Sequence, residues 1–392
     1  MASNSLLVVD GQADGQIKEL GEFIDKLKDS STLLQQVDTL LIEGDEERAL
    51  SRLVEESAIL AGATKEEYEP AYTLLINLII SSPSLPTYLP KVISNLSTQI
   101  PNLPNGALRN LNILTILFNV IPSNSILRYK TFDAILEVSS KNNLFELVLP
   151  QTKYVHEWIT EWGDLSSQDQ RTLLLKLAFA SEPFNAETSL SFLIDSLNLY
   201  STDNENARPL AQRVVMQALS APKRFEFDEI LEIEAIQNLK TLNDPAYTIL
   251  DIFACKDLVA FRKFAQSSWL KENELDQVSL ERKIRFITIA SLASKSRTLT
   301  YSQIASALDI SEDEVELWII DVIRVGLVEG RLCQIQKTFL VNRTTYRMFG
   351  KKEWESLGIR LKNWKINLDE QLKVLHGVSP VKEHGADIHV DA

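Results

Sequence analysis

Residues 297–345 read RTLTYSQIASALDISEDEVELWIIDVIRVGLVEGRLCQIQKTFLVNRTT, and here alone the apolar spacing changes from helical to alternating. Arg282 to Ala293 leads in as a helix, and Leu299-Thr300-Tyr301 opens a short one over Ser302–Leu308. Ser311 followed by Glu314 has the spacing of a capping box and predicts a helix over Glu312–Val325, with Val315, Ile319, Val322 and Ile323 facing inward. Gly326 stands where a helix C-cap needs a left-handed residue. Beyond it Arg331-Leu332-Cys333-Gln334-Ile335 alternates, Gln336-Lys337 makes a turn, and Thr338-Phe339-Leu340-Val341 returns. Helix, helix, turn, helix and a two-stranded ribbon describe a winged helix.

Upstream, apolar residues recur at helical spacing. Ile17, Leu20, Phe23, Ile24 and Leu27 mark a first amphipathic helix, and similar faces run through Leu74–Ile79, Leu108–Phe118 and Leu127–Leu136. Short breakers at Ser81-Ser82-Pro83, Pro101 to Gly106 and Pro122-Ser123-Asn124 separate them. Helices joined this tightly form hairpins, stacked here as a degenerate repeat without a fixed consensus. Gly and Pro number only 13 each in 392 residues, which disfavours many short strands. Trp158 and Trp162, four apart, share one helix face and read as core between neighbouring helices.

Downstream, Trp354, Leu357, Leu361, Trp364, Leu368, Leu372 and Leu375 repeat at alternating spacings of three and four, a coiled-coil-like seam. A helix over 352–375 outruns what a winged helix can cover, so part of the seam must meet something else. The fold class is therefore all-α with a small β wing. The expected division is helical repeats over 1–180, a helical-plus-winged-helix domain over 181–345 (winged helix from 297), a terminal helix over 346–375 and a disordered tail over 376–392.

The net charge of −14 is unevenly placed, because residues 281–375 carry 16 basic against 12 acidic side chains while the rest is acidic. Phosphate backbones are repelled by most of the chain. The helix that would enter a DNA major groove begins Glu312-Asp313-Glu314 and carries Glu316 and Asp321 against the single Arg324. Base readout needs Arg, Lys, Asn or Gln there, so DNA is excluded as a partner. Arg331, Lys337, Arg343, Arg347, Lys351 and Lys352 cluster at and after the wing. They are candidates for RNA phosphate contact without sequence readout, and solubility or an acidic protein partner explains them equally well.

No phosphate loop, dinucleotide fingerprint, nucleophile elbow or zincin helix occurs, so neither an enzyme nor a bound cofactor is expected. Of four histidines, three lie in the tail; His384 and His389 with Asp387 and Asp391 read as solvated rather than as metal ligands. The two cysteines, Cys255 and Cys333, build no disulfide framework and fit a reducing compartment. Cys255 follows Ile252-Phe253-Ala254 and reads as an inert buried thiol. The first residues lack the basic start of a signal peptide, and the best apolar run, Thr73 to Ile80, is short and broken by Asn77. A cytoplasmic protein without membrane contact is expected.

Helical hairpins running into a winged helix and then a long terminal helix resemble the PCI-domain family, the scaffold module of the proteasome lid, the COP9 signalosome and eukaryotic translation initiation factor 3. Gly330-Arg331-Leu332-Cys333-Gln334 is similar to that family's G-[KR]-[IL]-D-Q, with Cys333 in the usual place of Asp. Trp158-Ile159-Thr160-Glu161-Trp162, Tyr200-Ser201-Thr202-Asp203-Asn204, Phe225-Glu226-Phe227-Asp228-Glu229-Ile230-Leu231 and Tyr346-Arg347-Met348-Phe349-Gly350-Lys351-Lys352-Glu353-Trp354 resemble the initiation-factor members in particular.

The resemblance implies a non-catalytic scaffold that supports recruitment of mRNA and the 40S ribosomal subunit. Its direct partners would be other PCI-domain subunits, with the 40S subunit reached through the complex. The interface would comprise Leu332, Ile335, Phe339 and Val341 of the wing together with the seam from Trp354 to Leu375. A signalosome subunit and an RNA-binding winged helix are the alternatives.

Overall fold

Capping side chains punctuate the helices of the N-terminal half. Asp45 accepts the Arg48 N–H at 3.2 Å to open Glu46–Glu56, and Ser125 accepts the Leu127 N–H at 3.3 Å to open Ile126–Lys141. Asn185 accepts the N–H groups of Glu187 and Thr188 to open Ala186–Asn198. Each contact satisfies donors that a helix start leaves without an intrahelical partner. Asp25 does the same at a distance: its carboxylate lies on the first helix, Ala13–Lys28, and accepts Leu33 and Leu34 N–H at the start of Thr32–Ile42. The computed structural model describes residues 13–29, 31–163, 165–200, 204–266, 268–348 and 350–378. The expected disordered tail, with its three histidines, lies almost wholly outside them.

The chain divides into two compact units, Met1–Gln217 and Ala218–Ala392. The boundary expected near 180 instead falls within the first unit, because Ser167–Ser181 and Ala186–Asn198 pack on each other as a pair. In that unit the helices succeed one another as expected, from Tyr68–Ser81 through Leu85–Thr98, Gly106–Val120 and Ile126–Lys141. Gly106 permits the connection into its helix, since a Cβ there would stand 2.3 Å from the Pro101 carbonyl oxygen. Trp158 and Trp162 do enter the core: Phe132 packs edge-on against Trp158 at 5.3 Å, and Trp162 is fully buried. The Arg128 guanidinium sits 4.3 Å above the Phe118 ring of the same cluster.

The second unit begins with short helices and turns on one long one, Gln277–Lys295. That helix buries a lysine. Lys283 is 6% exposed, and its Nζ donates to the carbonyls of Ala218, Leu219 and Ala221 at 3.0, 2.9 and 2.8 Å. The first two carbonyls lie in the last turn of the Asn204–Ser220 helix and the third just past it, where a cation is favoured by the helix dipole. The Phe225 and Phe227 rings flank the ammonium.

The winged helix follows, with three differences from expectation. Its sheet has three strands, β1 (Thr298–Thr300), β2 (Val328–Cys333) and β3 (Thr338–Thr344), in the antiparallel order β1-β3-β2. The added strand pairs Leu299 with Phe339, so β3 is central and not an edge. Second, Ser311 does not cap. Glu314 N–H donates instead to the Ser311 backbone carbonyl, and Glu312–Glu314 forms a 3-10 turn ahead of Val315–Val325. The capping box is at Thr300 and Gln303, opening Tyr301–Leu308. Third, Val315, Ile319 and Val322 are buried but Ile323 is only half-buried. Gly326 ends its helix at φ +84°, as expected.

Gly330 lies at the register irregularity of β2. A Cβ there would stand 2.3 Å from the Leu340 carbonyl oxygen and 2.6 Å from the Phe339 ring.

Candidate protein-interaction surfaces

The terminal helix, Lys351–Val378, is longer than the sequence suggested, and at 1.5 Å per residue it extends about 42 Å. Its seam lies in solvent. Trp354 is 62% exposed, Trp364 71% and Leu375 65%, with Leu357, Leu361, Leu368 and Leu372 exposed between them. The strap before the helix is tied down to the unit. In that strap Arg347 donates from Nε to the Phe253 carbonyl at 2.8 Å and from Nη2 to the Ile252 carbonyl at 2.6 Å. Large exposed apolar patches are the kind of surface through which soluble proteins bind partners.

Arg347 is thereby removed from the RNA-contact group: its guanidinium is spent on the C-terminus of Pro245–Cys255, and burial lowers its pKa. Of the others, Lys337 pairs with Glu312 at 3.0 Å and Arg343 with Glu329 at 3.5 Å. Arg331 and Lys351 are exposed, and the Lys352 side chain lies outside what is described. The basic cluster is therefore partly neutralised by the unit's own acids.

On the wing, Ile335 at the tip is 98% exposed. Leu332 and Val341 are half-buried, while Phe339, expected at the interface, is fully buried on the strand flanked by β1 and β2. The edges of the sheet are β1 and the longer β2. The sequence reading missed the outer face of Val315–Val325, where Leu317, Ile320 and Val325 are exposed. Their i, i+3 and i+8 spacing is legible in the sequence beside the acids of the same helix. That face, apolar with an acidic N-terminal turn, suits a protein and repels a nucleic acid. Cys255 is exposed rather than buried, its Sγ 3.2 Å from the Met348 sulfur, and burial by neighbouring atoms still raises its thiol pKa. Among the described residues no cluster of His, Cys, Asp and Glu could hold a metal ion, and no helix is long and apolar enough to cross a membrane.

A winged helix fed by helical pairs, with exposed apolar faces where a DNA reader carries cations, has the architecture of the PCI class of scaffold module, and residues 261–343 match the PCI domain family. Eukaryotic translation initiation factor 3 subunit M of Phaeosphaeria nodorum is 35% identical over 388 residues, covering 94% of this chain and 88% of that protein. The proteins of the same name from Chaetomium globosum and Schizosaccharomyces pombe are 33% and 32% identical, covering 96% and 95% of this chain and 89% and 93% of their own lengths. The chain belongs to the family of eukaryotic translation initiation factor 3 subunit M.

Proposed function

We propose that the chain is a non-catalytic scaffold of the initiation factor 3 complex, working in the cytoplasm and held there by contacts with other PCI-domain subunits. The observation that carries this is the terminal helix, whose seam is complete in spacing and exposed along its length. Full burial of one leucine contributes about 1.5–3 kcal/mol, so the distal Leu368, Leu372 and Leu375 supply several kcal/mol toward a bundle with helices of neighbouring subunits. The wing adds Leu332, Ile335, Val341 and the β2 edge, whose free N–H and C=O groups a neighbouring sheet can extend.

Support for recruitment of mRNA and the 40S ribosomal subunit is then indirect, exerted through the assembled complex. A weak RNA contact rests on Arg331 and Lys351, which are exposed in the one basic region of an acidic chain. Purifying the tagged chain from its own cells under mild salt tests the proposal. Recovery with the other factor 3 subunits and 40S proteins is expected; recovery with signalosome subunits, or alone, would contradict it.

A further inference from the structure

The first unit carries a groove unrelated to the wing and the terminal helix. It has a volume of 740 Å³ and lies between Ala13–Lys28 and the segment from Glu66 into Tyr68–Ser81. Leu20 and Ala71 are buried at its floor, and Phe23 and Leu74 stand half-buried above them, leaving an apolar ledge open among the described residues. The volume is that of a site for a few side chains rather than a whole domain.

Its rim is mainly acidic. Glu19 and Glu22, three apart on the first helix, form one wall, and Glu66 and Glu67 form the other. Among the described residues the only cation on the rim is Lys26, 3.6 Å from Glu67, which also accepts the Thr64 hydroxyl at 2.6 Å. Among the described residues Glu19, Glu22 and Glu66 have no cationic partner. Three uncompensated carboxylates around an apolar ledge select an occupant with an apolar stripe and positive charges beside it. Two helices forming a trough admit such a stripe most simply as a third helix, with anchors at i, i+3 or i+4, and i+7. An acidic peptide, a nucleic acid or an anionic lipid surface would be repelled.

We propose that this groove docks a basic amphipathic helix of a partner protein. The contact is independent of the bundle and wing contacts described above. Rim charges would speed association and make it salt-sensitive, and the ledge would slow dissociation.

The test uses the full chain and a fluorescein-labelled peptide of leucine and lysine with leucine at i, i+3, i+4 and i+7, read by fluorescence anisotropy. The groove variant is Glu19→Lys, Glu22→Lys and Glu66→Lys together. The control is Glu43→Lys, Glu146→Lys and Glu157→Lys together, exposed acids elsewhere in the same unit. The groove variant should weaken binding about ten-fold or more and the control less than about two-fold. Leu74→Gln should also weaken it, with circular dichroism confirming that each variant stays folded.

Equal losses in groove variant and control would mean only long-range attraction and would overturn the proposal, as would an unchanged Leu74→Gln. A chain beginning at Ala13 that bound about ten-fold tighter would assign the groove to the chain's own first residues. A concentration-dependent dimer abolished by the groove variant would assign it to a second copy. Either result overturns the partner helix.

Discussion

The Arg347 guanidinium donates from Nε to the Phe253 carbonyl at 2.8 Å, joining the strap before the terminal helix to the end of Pro245–Cys255. The Ile252 carbonyl, which also accepts the Lys256 N–H, and the Lys256 carbonyl accept from the same side chain, so one cation gathers three carbonyls at the end of that helix. This fixes where Lys351–Val378 leaves the unit while leaving the seam open.

Arg347→Ala should therefore lower the stability of the chain by about 2–3 kcal/mol, since bonds to a charged group contribute about 1.5–3 kcal/mol each and water replaces part of them. Urea denaturation followed by tryptophan fluorescence measures it. A loss below about 0.5 kcal/mol, the range of neutral surface changes, would mean that the strap is not held this way.

Lys283 predicts a pH dependence. Burial, with the Arg224 charge adding to it, pushes its pKa from 10.5 down to about 7. Between those values the unfolded chain holds a proton that the folded chain has released. Stability should thus rise with pH across that window, with no slope from this group below or above it. Lys283→Met should flatten the rise, and leaving the Ala218, Leu219 and Ala221 carbonyls without their donor should cost about 2–4 kcal/mol near neutral pH. Denaturation midpoints of both proteins at several pH values check this; parallel curves would refute it.

The wing separates core from surface sharply. Phe339→Ala should cost about 3–5 kcal/mol because the ring is fully buried, and Gly330→Ala about 3 kcal/mol because its Cβ meets backbone. Ile335→Asp should change the stability of the isolated chain by no more than about 0.5 kcal/mol, since the side chain is in water. Weaker association of the Ile335→Asp chain with its complex, measured by pull-down, would mark the tip as an interface; unaltered association would remove it from the proposed contact.

The sequence showed the seam, the two long helices of the winged helix and the Gly326 cap, because each depends on spacing within a dozen residues. It did not show β1, since Thr298–Thr300 is too short for an alternating period to register. Phe339 was expected outward because alternation says which residues share a face but not which face packs on the core. Lys283 was equally hidden, its three acceptors lying 62 to 65 residues away in the chain. Arg347 was read from its charge alone, and only the fold shows that charge spent on carbonyls more than 90 residues distant. Exposure of the proximal seam could not be read either, since spacing says which residues share a face but not what covers it.

Replacing Leu368, Leu372 and Leu375 with Ser tests the central claim most directly, read as co-purification with the factor 3 complex beside the thermal midpoint of the isolated chain. Because these side chains are exposed in the free protein, the midpoint should hardly move, while the chain should no longer be recovered with the complex. A collapsed midpoint with normal assembly of the folded fraction would show the seam to be internal core and would contradict the account.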